Sequence, residues 1–145
     1  GKYLEAWEEF SKVKQMGGGM DEISLRELDY HLAMSAYLSG KSGSSAMLEN
    51  YLVLYPKSPR EAQVRFAVGN IFYDTEQYGD AIDNYLQVNT VKLDQEQLDE
   101  YNFKTCYSYF VRADYYSMRP FMERVSFKSP YYPHAQSCIG DAAYH

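Results

Sequence analysis

The sequence holds few of the residues that bind metals, form disulfides or stiffen a backbone. Its 145 residues include 2 cysteines, 3 histidines, 5 prolines and 1 tryptophan. Two cysteines are too few for a disulfide framework or a cysteine-based metal cluster, and the composition excludes a collagen-like or disordered chain. No apolar run reaches the roughly 18 residues that a membrane-spanning helix needs. We therefore expect a globular chain without a transmembrane segment.

The cysteines and histidines stand apart from one another in the sequence. Cys106 and Cys138 fall at helix positions where small side chains pack, and a free cysteine there behaves as a small apolar residue. We expect two buried free thiols, with a single disulfide between them as the alternative. His31, His134 and His145 have no carboxylate or histidine at metal-ligand spacing, so no metal site is predicted.

Basic residues are also in the minority. The chain has 14 Lys and Arg against 20 Asp and Glu, a net charge of −6, which argues against a nucleic-acid partner. The charges segregate: 74–100 contains eight acids and one lysine, and 101–128 contains five bases and two acids. Solvated helix faces explain this pattern, and the alternative is a dipolar surface that orients a partner.

The sequence motifs of common enzymes are absent as well. Gly40-Lys41-Ser42 lacks the preceding glycine of a phosphate-binding loop, because Ser35 occupies that position. Gly17-Gly18-Gly19 follows no predicted strand and is not a dinucleotide loop. No serine lies in a nucleophile elbow. We expect a chain that is not an enzyme and has no catalytic residues and no cofactor.

What the chain has in quantity is tyrosine, 16 in all, and helical repetition. Apolar residues recur at three- and four-residue steps through 62–73, the pattern of an amphipathic helix. Asn50-Tyr51-Leu52 recurs 34 residues later as Asn84-Tyr85-Leu86, and Lys57-Ser58-Pro59 recurs 71 residues later as Lys128-Ser129-Pro130. Such self-similarity indicates a repeat architecture.

Three copies share one spacing. In each, a small residue stands 12 positions before the first of two packing residues that are four apart. The copies are Ser35 with Met47 and Tyr51, Gly69 with Ala81 and Tyr85, and Cys106 with Met118 and Met122. This pattern resembles the tetratricopeptide repeat, a helix–turn–helix unit of 34 residues. No copy has the family's tryptophan, and two lack its alanine.

The resemblance implies an all-α fold, an α–α superhelix of antiparallel helix pairs in a single domain, 1–145. The predicted units are an orphan second helix at 1–16, full repeats at 28–61, 62–95 and 99–132, and a partial repeat at 133–145. Irregular joints are expected at 17–19 and 90–99, the first a flexible elbow.

Local expectations follow from the middle repeat. We expect its second helix to cover 78–89 and Gly69 to allow close approach of that helix through Ala81. Pro59 and Pro130 are expected to end second helices, since proline disfavours helical geometry in the residue before it.

The resemblance also predicts a partner-binding face on the first helix of each pair. Its candidate residues are Phe66, Asn70, Tyr73, Phe103, Tyr107, Phe110, Asp141 and Tyr144. Aromatic contact area and side-chain amides suit a bound peptide. Phe66 and Phe103 could equally be packed between repeats, whereas Asn70, Tyr73 and Tyr107 are expected to be exposed to a ligand.

We therefore predict a protein–protein interaction scaffold that binds a peptide or protein in a concave aromatic groove. The alternatives are a self-assembly module, in which open repeat ends and Trp7 dock a second copy, and a recruiting domain of a larger enzyme or uptake system. The tyrosine-rich repeats resemble arrays of bacterial cell-envelope proteins, which implies a periplasmic or outer-membrane-associated location.

Overall fold

The computed structural model describes residues 1–16 and 19–142. This part of the chain contains eight α-helices and one short 3-10 helix, and it contains no strand. The α-helices are α1 (Lys2–Met16), α2 (Glu22–Leu38), α3 (Ser44–Leu54), α4 (Glu61–Asp74), α5 (Tyr78–Tyr85), α6 (Gln95–Val111), α7 (Tyr115–Glu123) and α8 (Tyr132–Ala142). The 3-10 helix is Thr90–Lys92. The all-α fold expected from the sequence is confirmed. The elbow predicted at 17–19 falls largely outside the described residues.

The chain divides into two compact units, with the division inside α4. In the first unit, Gly1–Val68, α2 packs against both α1 and α3. In the second unit, Gly69–His145, α6 packs against α5, α7 and α8, and α7 also contacts α8. Within the described residues, no helix combines the length and the apolar character that crossing a membrane requires.

Polar contacts join the helices of the first unit. The Asp29 carboxylate on α2 accepts a hydrogen bond from Lys14 Nζ on α1 at 2.7 Å and from Tyr55 Oη, just after α3, at 2.5 Å. Arg60 Nη2 lies 3.1 Å from Glu27 Oε2, and its guanidinium covers the Tyr30 ring at 4.7 Å. Charged groups on α2 therefore fix both neighbouring helices and the segment that follows α3.

Trp7 is half-buried within the first unit. Lys41 Nζ lies 4.0 Å from the centre of a Trp7 ring, and the indole nitrogen is buried. A lysine over an aromatic face forms a cation–π contact. Lys41 therefore covers one face of the Trp7 ring, and the docking of Trp7 against a second copy stays a prediction.

The second unit has an apolar core where α6, α7 and α8 meet. Its buried residues are Phe103, Cys106, Met118, Met122, Val125, Ala135 and Cys138. Both cysteines are free and buried, which confirms that expectation. A hydrogen bond between the two thiols, together with burial, raises the pKa of Cys106 above its usual range.

Helix α6 begins earlier than the predicted repeat boundary at 99. Asp94 accepts a hydrogen bond from the backbone N–H of Gln97 at 2.8 Å, and Gln97 Oε1 accepts one from the N–H of Asp94 at 3.1 Å. This reciprocal capping box satisfies two N–H groups that a helix start leaves without partners. The predicted irregular joint therefore ends at Asp94, and Gln95 is already helical.

Helix α5 is shorter than the predicted 78–89. It ends at Tyr85, whose carbonyl oxygen accepts a hydrogen bond from Tyr101 Oη at 2.9 Å and one from the N–H of Val88 at 3.0 Å. The carbonyl is therefore satisfied by groups other than the N–H of Asn89, and Asn89 instead caps the 3-10 helix that follows.

The two Lys-Ser-Pro segments begin helices rather than end them. The hydroxyl of Ser58 accepts a hydrogen bond from the N–H of Arg60 at 3.0 Å, and that of Ser129 accepts one from the N–H of Tyr131 at 3.1 Å. Helices α4 and α8 start directly afterwards. The expectation for Pro59 and Pro130 is therefore wrong. Helix α3 ends instead before Pro56, as the non-helical Tyr55 (φ −129°, ψ 62°) shows.

Gly69 on α4 lies directly against a side chain of α5. A Cβ atom at Gly69 would lie 2.6 Å from both Cδ1 and Cε1 of Tyr85, a side chain with no exposed surface. The close approach of α5 is as expected, and the atoms nearest to the glycine belong to the Tyr85 ring rather than to Ala81.

Candidate partner-binding site

Three tyrosines from three helices of the second unit form a mutually packed group, which we name the tyrosine cluster. Tyr73 lies on α4, Tyr78 on α5 and Tyr107 on α6. The ring centres are 5.7 Å apart for Tyr73 and Tyr78, 6.1 Å for Tyr73 and Tyr107, and 5.9 Å for Tyr78 and Tyr107. All three pairs meet edge to face, the arrangement that aromatic quadrupoles favour. Each ring is thus held in place by two others.

The tyrosine cluster retains hydrogen-bonding capacity. All three side chains are partly exposed, and none of their hydroxyl groups has a hydrogen-bond partner among the described residues. Burial raises the pKa of Tyr73 and of Tyr78, with the neighbouring tyrosines adding to the effect. Both phenols are therefore neutral at physiological pH, and each can donate and accept a hydrogen bond.

Phe103 packs against the tyrosine cluster through Tyr107. It is only 8% exposed and stacks on Tyr107 at 6.0 Å and on Tyr131 at 5.0 Å. The centre of the Phe110 ring lies 6.2 Å from that of Tyr107, and Phe110 remains partly exposed. Of the alternatives stated for Phe103, packing therefore holds: this ring fixes Tyr107 and offers a ligand little surface.

The Lys104 side chain lies beside the tyrosine cluster. Lys104 Nζ is 5.2 Å from the centre of the Tyr73 ring and 2.7 Å from Glu100 Oε2. The side chains of Lys104 and Glu100 are 14% and 27% exposed, so this pair is less screened by water than a fully exposed ion pair. The Glu100 carboxylate thus balances the charge of Lys104.

Asn70 is buried, which corrects the expectation that it is exposed to a ligand. It is 4% exposed, and its side-chain oxygen accepts hydrogen bonds from Tyr85 Oη at 2.7 Å and from Lys104 Nζ at 3.4 Å. A buried amide needs such partners because an unsatisfied polar group is costly. Asn70 therefore holds Tyr85 and Lys104 in position.

The other predicted residues have different outcomes. The structure brings Tyr73, Phe103, Tyr107 and Phe110 together in the second unit. Phe66 belongs to the first unit and is 5% exposed, so it is a packing residue. Asp141 is exposed on α8, and Tyr144 lies outside the described residues.

Sequence reasoning missed three residues at this site. Tyr78 was assigned only to the start of a second helix, and Lys104 and Tyr131 had no assigned role. Lys104 could have been found, because it is three residues before Tyr107 and residues at that spacing are neighbours on a helix surface. Tyr131 gives no such signal. It precedes α8, whereas Phe103 lies on α6, and the two residues come together only when α8 packs against α6.

The site shows no arrangement for binding a metal. Among the described residues, no group of three His, Cys, Asp or Glu side chains is placed to hold an ion. The chain matches no protein-family model, no curated protein and no solved structure.

Proposed function

We propose that this chain is a divergent tetratricopeptide-repeat array, an α–α superhelix that serves as a protein–protein interaction scaffold without catalytic activity. In this proposal, the tyrosine cluster binds an extended peptide segment of a partner protein. The cell-envelope location that the resemblance implies belongs to the same proposal.

The burial of the repeat positions supports the family resemblance. In the middle copy, Gly69 is buried and Ala81 and Tyr85 have no exposed surface. In the next copy, Cys106 and Met118 have none either. A repeat pattern that marks packing positions should show this burial.

The observation that carries the peptide-binding proposal is the set of three unpartnered hydroxyl groups on packed, partly exposed rings. A peptide backbone offers both N–H and C=O groups, and a phenol can bind either. Because the rings already hold one another in place, ordering them on binding costs little conformational entropy. Tyrosine is accordingly among the residues that contribute most to binding at protein interfaces.

We expect removal of two hydroxyl groups to weaken peptide binding without disturbing the fold. The experiment selects peptides from a random library displayed on phage, using the immobilised 145-residue chain. Dissociation constants of selected peptides are then measured for the wild type and for the double variant Tyr73→Phe/Tyr107→Phe. Two lost hydrogen bonds should raise the dissociation constant roughly tenfold.

The matched control is Tyr116→Phe, because Tyr116 lies on α7 of the same unit and is 89% exposed. This variant should bind the selected peptides as the wild type does. The assignment would be rejected if the double variant kept wild-type affinity while its circular dichroism and melting temperature were unchanged.

A further inference from the structure

We propose that a second pocket, separate from the tyrosine cluster, binds an acidic peptide segment through Asn102 and Arg124. This pocket lies in the second unit between the segment after α5, helix α6 and helix α7. It does not share a residue with the tyrosine cluster, so evidence against binding at one of these sites would not count against binding at the other.

The pocket has the size and the wall chemistry of a ligand site. Its volume is about 680 Å³, within the range of roughly 300–1,000 Å³ that small ligand sites occupy. Its walls include four apolar or aromatic side chains, Val88, Leu98, Tyr101 and Phe121. Such walls suit an apolar side chain of a bound segment.

Asn102 is a buried polar residue that lines this pocket. It is 2% exposed, yet its side-chain amide makes no hydrogen bond to any residue that the structure describes. Buried side-chain amides are normally satisfied, as Asn70 is in the same unit. Because Asn102 lines the pocket, a ligand can supply the missing donor and acceptor, as a peptide group does with its N–H and C=O.

Arg124 supplies a positive charge on the same pocket. It follows α7 directly, and its guanidinium carbon lies 5.4 Å from the centre of the Phe121 ring. Among the described residues, Arg124 forms no ion pair. Asp99 lies nearby on α6, but its carboxylate is bound to Gln95 Nε2 and to the backbone N–H of Ser126. An arginine without an ion pair is suited to bind a carboxylate, because its planar guanidinium forms bidentate hydrogen bonds with one.

The three features define the ligand. The apolar walls take a hydrophobic side chain, Asn102 takes a peptide group, and Arg124 takes the carboxylate of an adjacent Asp or Glu. A nucleic acid does not fit, because one arginine on a chain of net charge −6 cannot neutralise a phosphate backbone.

The test uses two blocked dipeptides that differ only in charge, N-acetyl-Leu-Asp-amide and N-acetyl-Leu-Asn-amide. Each is titrated into the isotope-labelled 145-residue chain, and NMR shifts are followed. We expect the aspartate peptide to move the signals of the Asn102 side-chain amide, Thr90 and Arg124, and to leave Tyr73 unmoved. Loss of the charge should weaken binding about tenfold.

Two variants and one control assign the effect to residues. Arg124→Gln should lower the affinity for the aspartate peptide to that for the asparagine peptide. Asn102→Leu should remove binding of both, and it should not lower the melting temperature, because it replaces an unpartnered buried amide with an apolar side chain of similar size. Arg119→Gln, an exposed arginine on α7, should bind as the wild type does.

Three results would overturn the proposal: equal affinity for the two dipeptides, wild-type affinity in Arg124→Gln, or shifts confined to the tyrosine cluster. The comparison of the dipeptides on the wild-type chain decides the matter even where a variant fails to fold. Failure here would leave the binding of library peptides at Tyr73 and Tyr107 untouched.

Discussion

Gly69 is a residue at which adding one methyl group should damage the fold. The added Cβ would lie 2.6 Å from a Tyr85 ring that is fully buried and is tied by its hydroxyl to Asn70. Alanine improves helix propensity by up to about 1 kcal/mol, but overpacking a core costs about 1–3 kcal/mol. We expect Gly69→Ala to lower the free energy of unfolding by about 1 kcal/mol, measured by urea unfolding.

Gly140 provides the matched control for this substitution. It also lies inside a helix, α8, but a Cβ there would meet no atom within 4 Å. Gly140→Ala should therefore raise the free energy of unfolding, by up to about 1 kcal/mol. Equal effects of the two alanines would show that Tyr85 moves aside and that Gly69 is not required for close packing.

The surroundings of Gly69 show which contacts the spacing of residues predicts and which it does not. The periodicity of α4 correctly identified Gly69 as a site of close approach, because spacing alone defines the face of a helix. It did not identify Tyr85 as the partner, nor Asn70 as the group that binds the Tyr85 hydroxyl. Those contacts depend on side-chain direction along the helix, and a spacing pattern does not encode that direction.

At the scale of elements, each of the two Lys-Ser-Pro segments forms a turn that directly precedes a helix. In both copies the serine is at most 8% exposed, and its hydroxyl accepts a hydrogen bond from the backbone N–H two residues later. We expect Ser129→Ala to lower the free energy of unfolding by about 1 kcal/mol, the usual net contribution of one hydrogen bond. Ser58→Ala should cost more, because Ser58 also bonds the hydroxyl of the buried Tyr51 at 2.6 Å.

Ser137→Ala is the control for these two substitutions. Ser137 is exposed inside α8, and its hydroxyl donates to the carbonyl of Pro133 in the preceding turn. Alanine at this position favours the helix, so stability should be unchanged or slightly raised. A similar loss in Ser129→Ala and Ser137→Ala would mean that the Ser129 contact has no part in starting α8.

Helix boundaries were predictable only where a local chemical signal agreed with the repeat. The Asp94-x-x-Gln97 capping box is visible in the sequence and sets the true start of α6, but the repeat register placed the boundary later. The end of α5 depends on Tyr101, 16 residues away, which bonds the Tyr85 carbonyl. No pattern within α5 itself could indicate that contact.

For the whole molecule, a 34-residue repeat of amphipathic segments was enough to predict an all-α chain, because each segment must bury its apolar face against another. The candidate site was predictable only in part. Tyr73 and Tyr107 share the predicted face, but Tyr78 reaches the tyrosine cluster from α5. Its position follows from how α5 packs against α6, and one sequence does not give that geometry.

Because many tyrosines are buried or half-buried, the stability of the whole molecule should fall at alkaline pH. Burial raises the pKa of Tyr30, Tyr51, Tyr55, Tyr73, Tyr78, Tyr101, Tyr109 and Tyr131. For Tyr55, burial and the hydrogen bond to Asp29 raise the pKa to about 12. The folded state thus holds these protons more tightly than the unfolded state, where the tyrosine pKa is about 10.

The sign of the pH dependence follows from proton linkage. Below about pH 10 both states are protonated, and the stabilising contribution is fully present; above it the unfolded state releases protons first, so the free energy of unfolding falls as the pH rises towards 12. Urea unfolding across this range measures the fall. Tyr55→Phe should make the slope shallower, whereas Tyr116→Phe, at an 89% exposed residue, should leave it unchanged. A free energy of unfolding that stays constant from about pH 9 to 11.5 would refute this prediction. Raised tyrosine pKa values in the folded state require the free energy of unfolding to fall over that range.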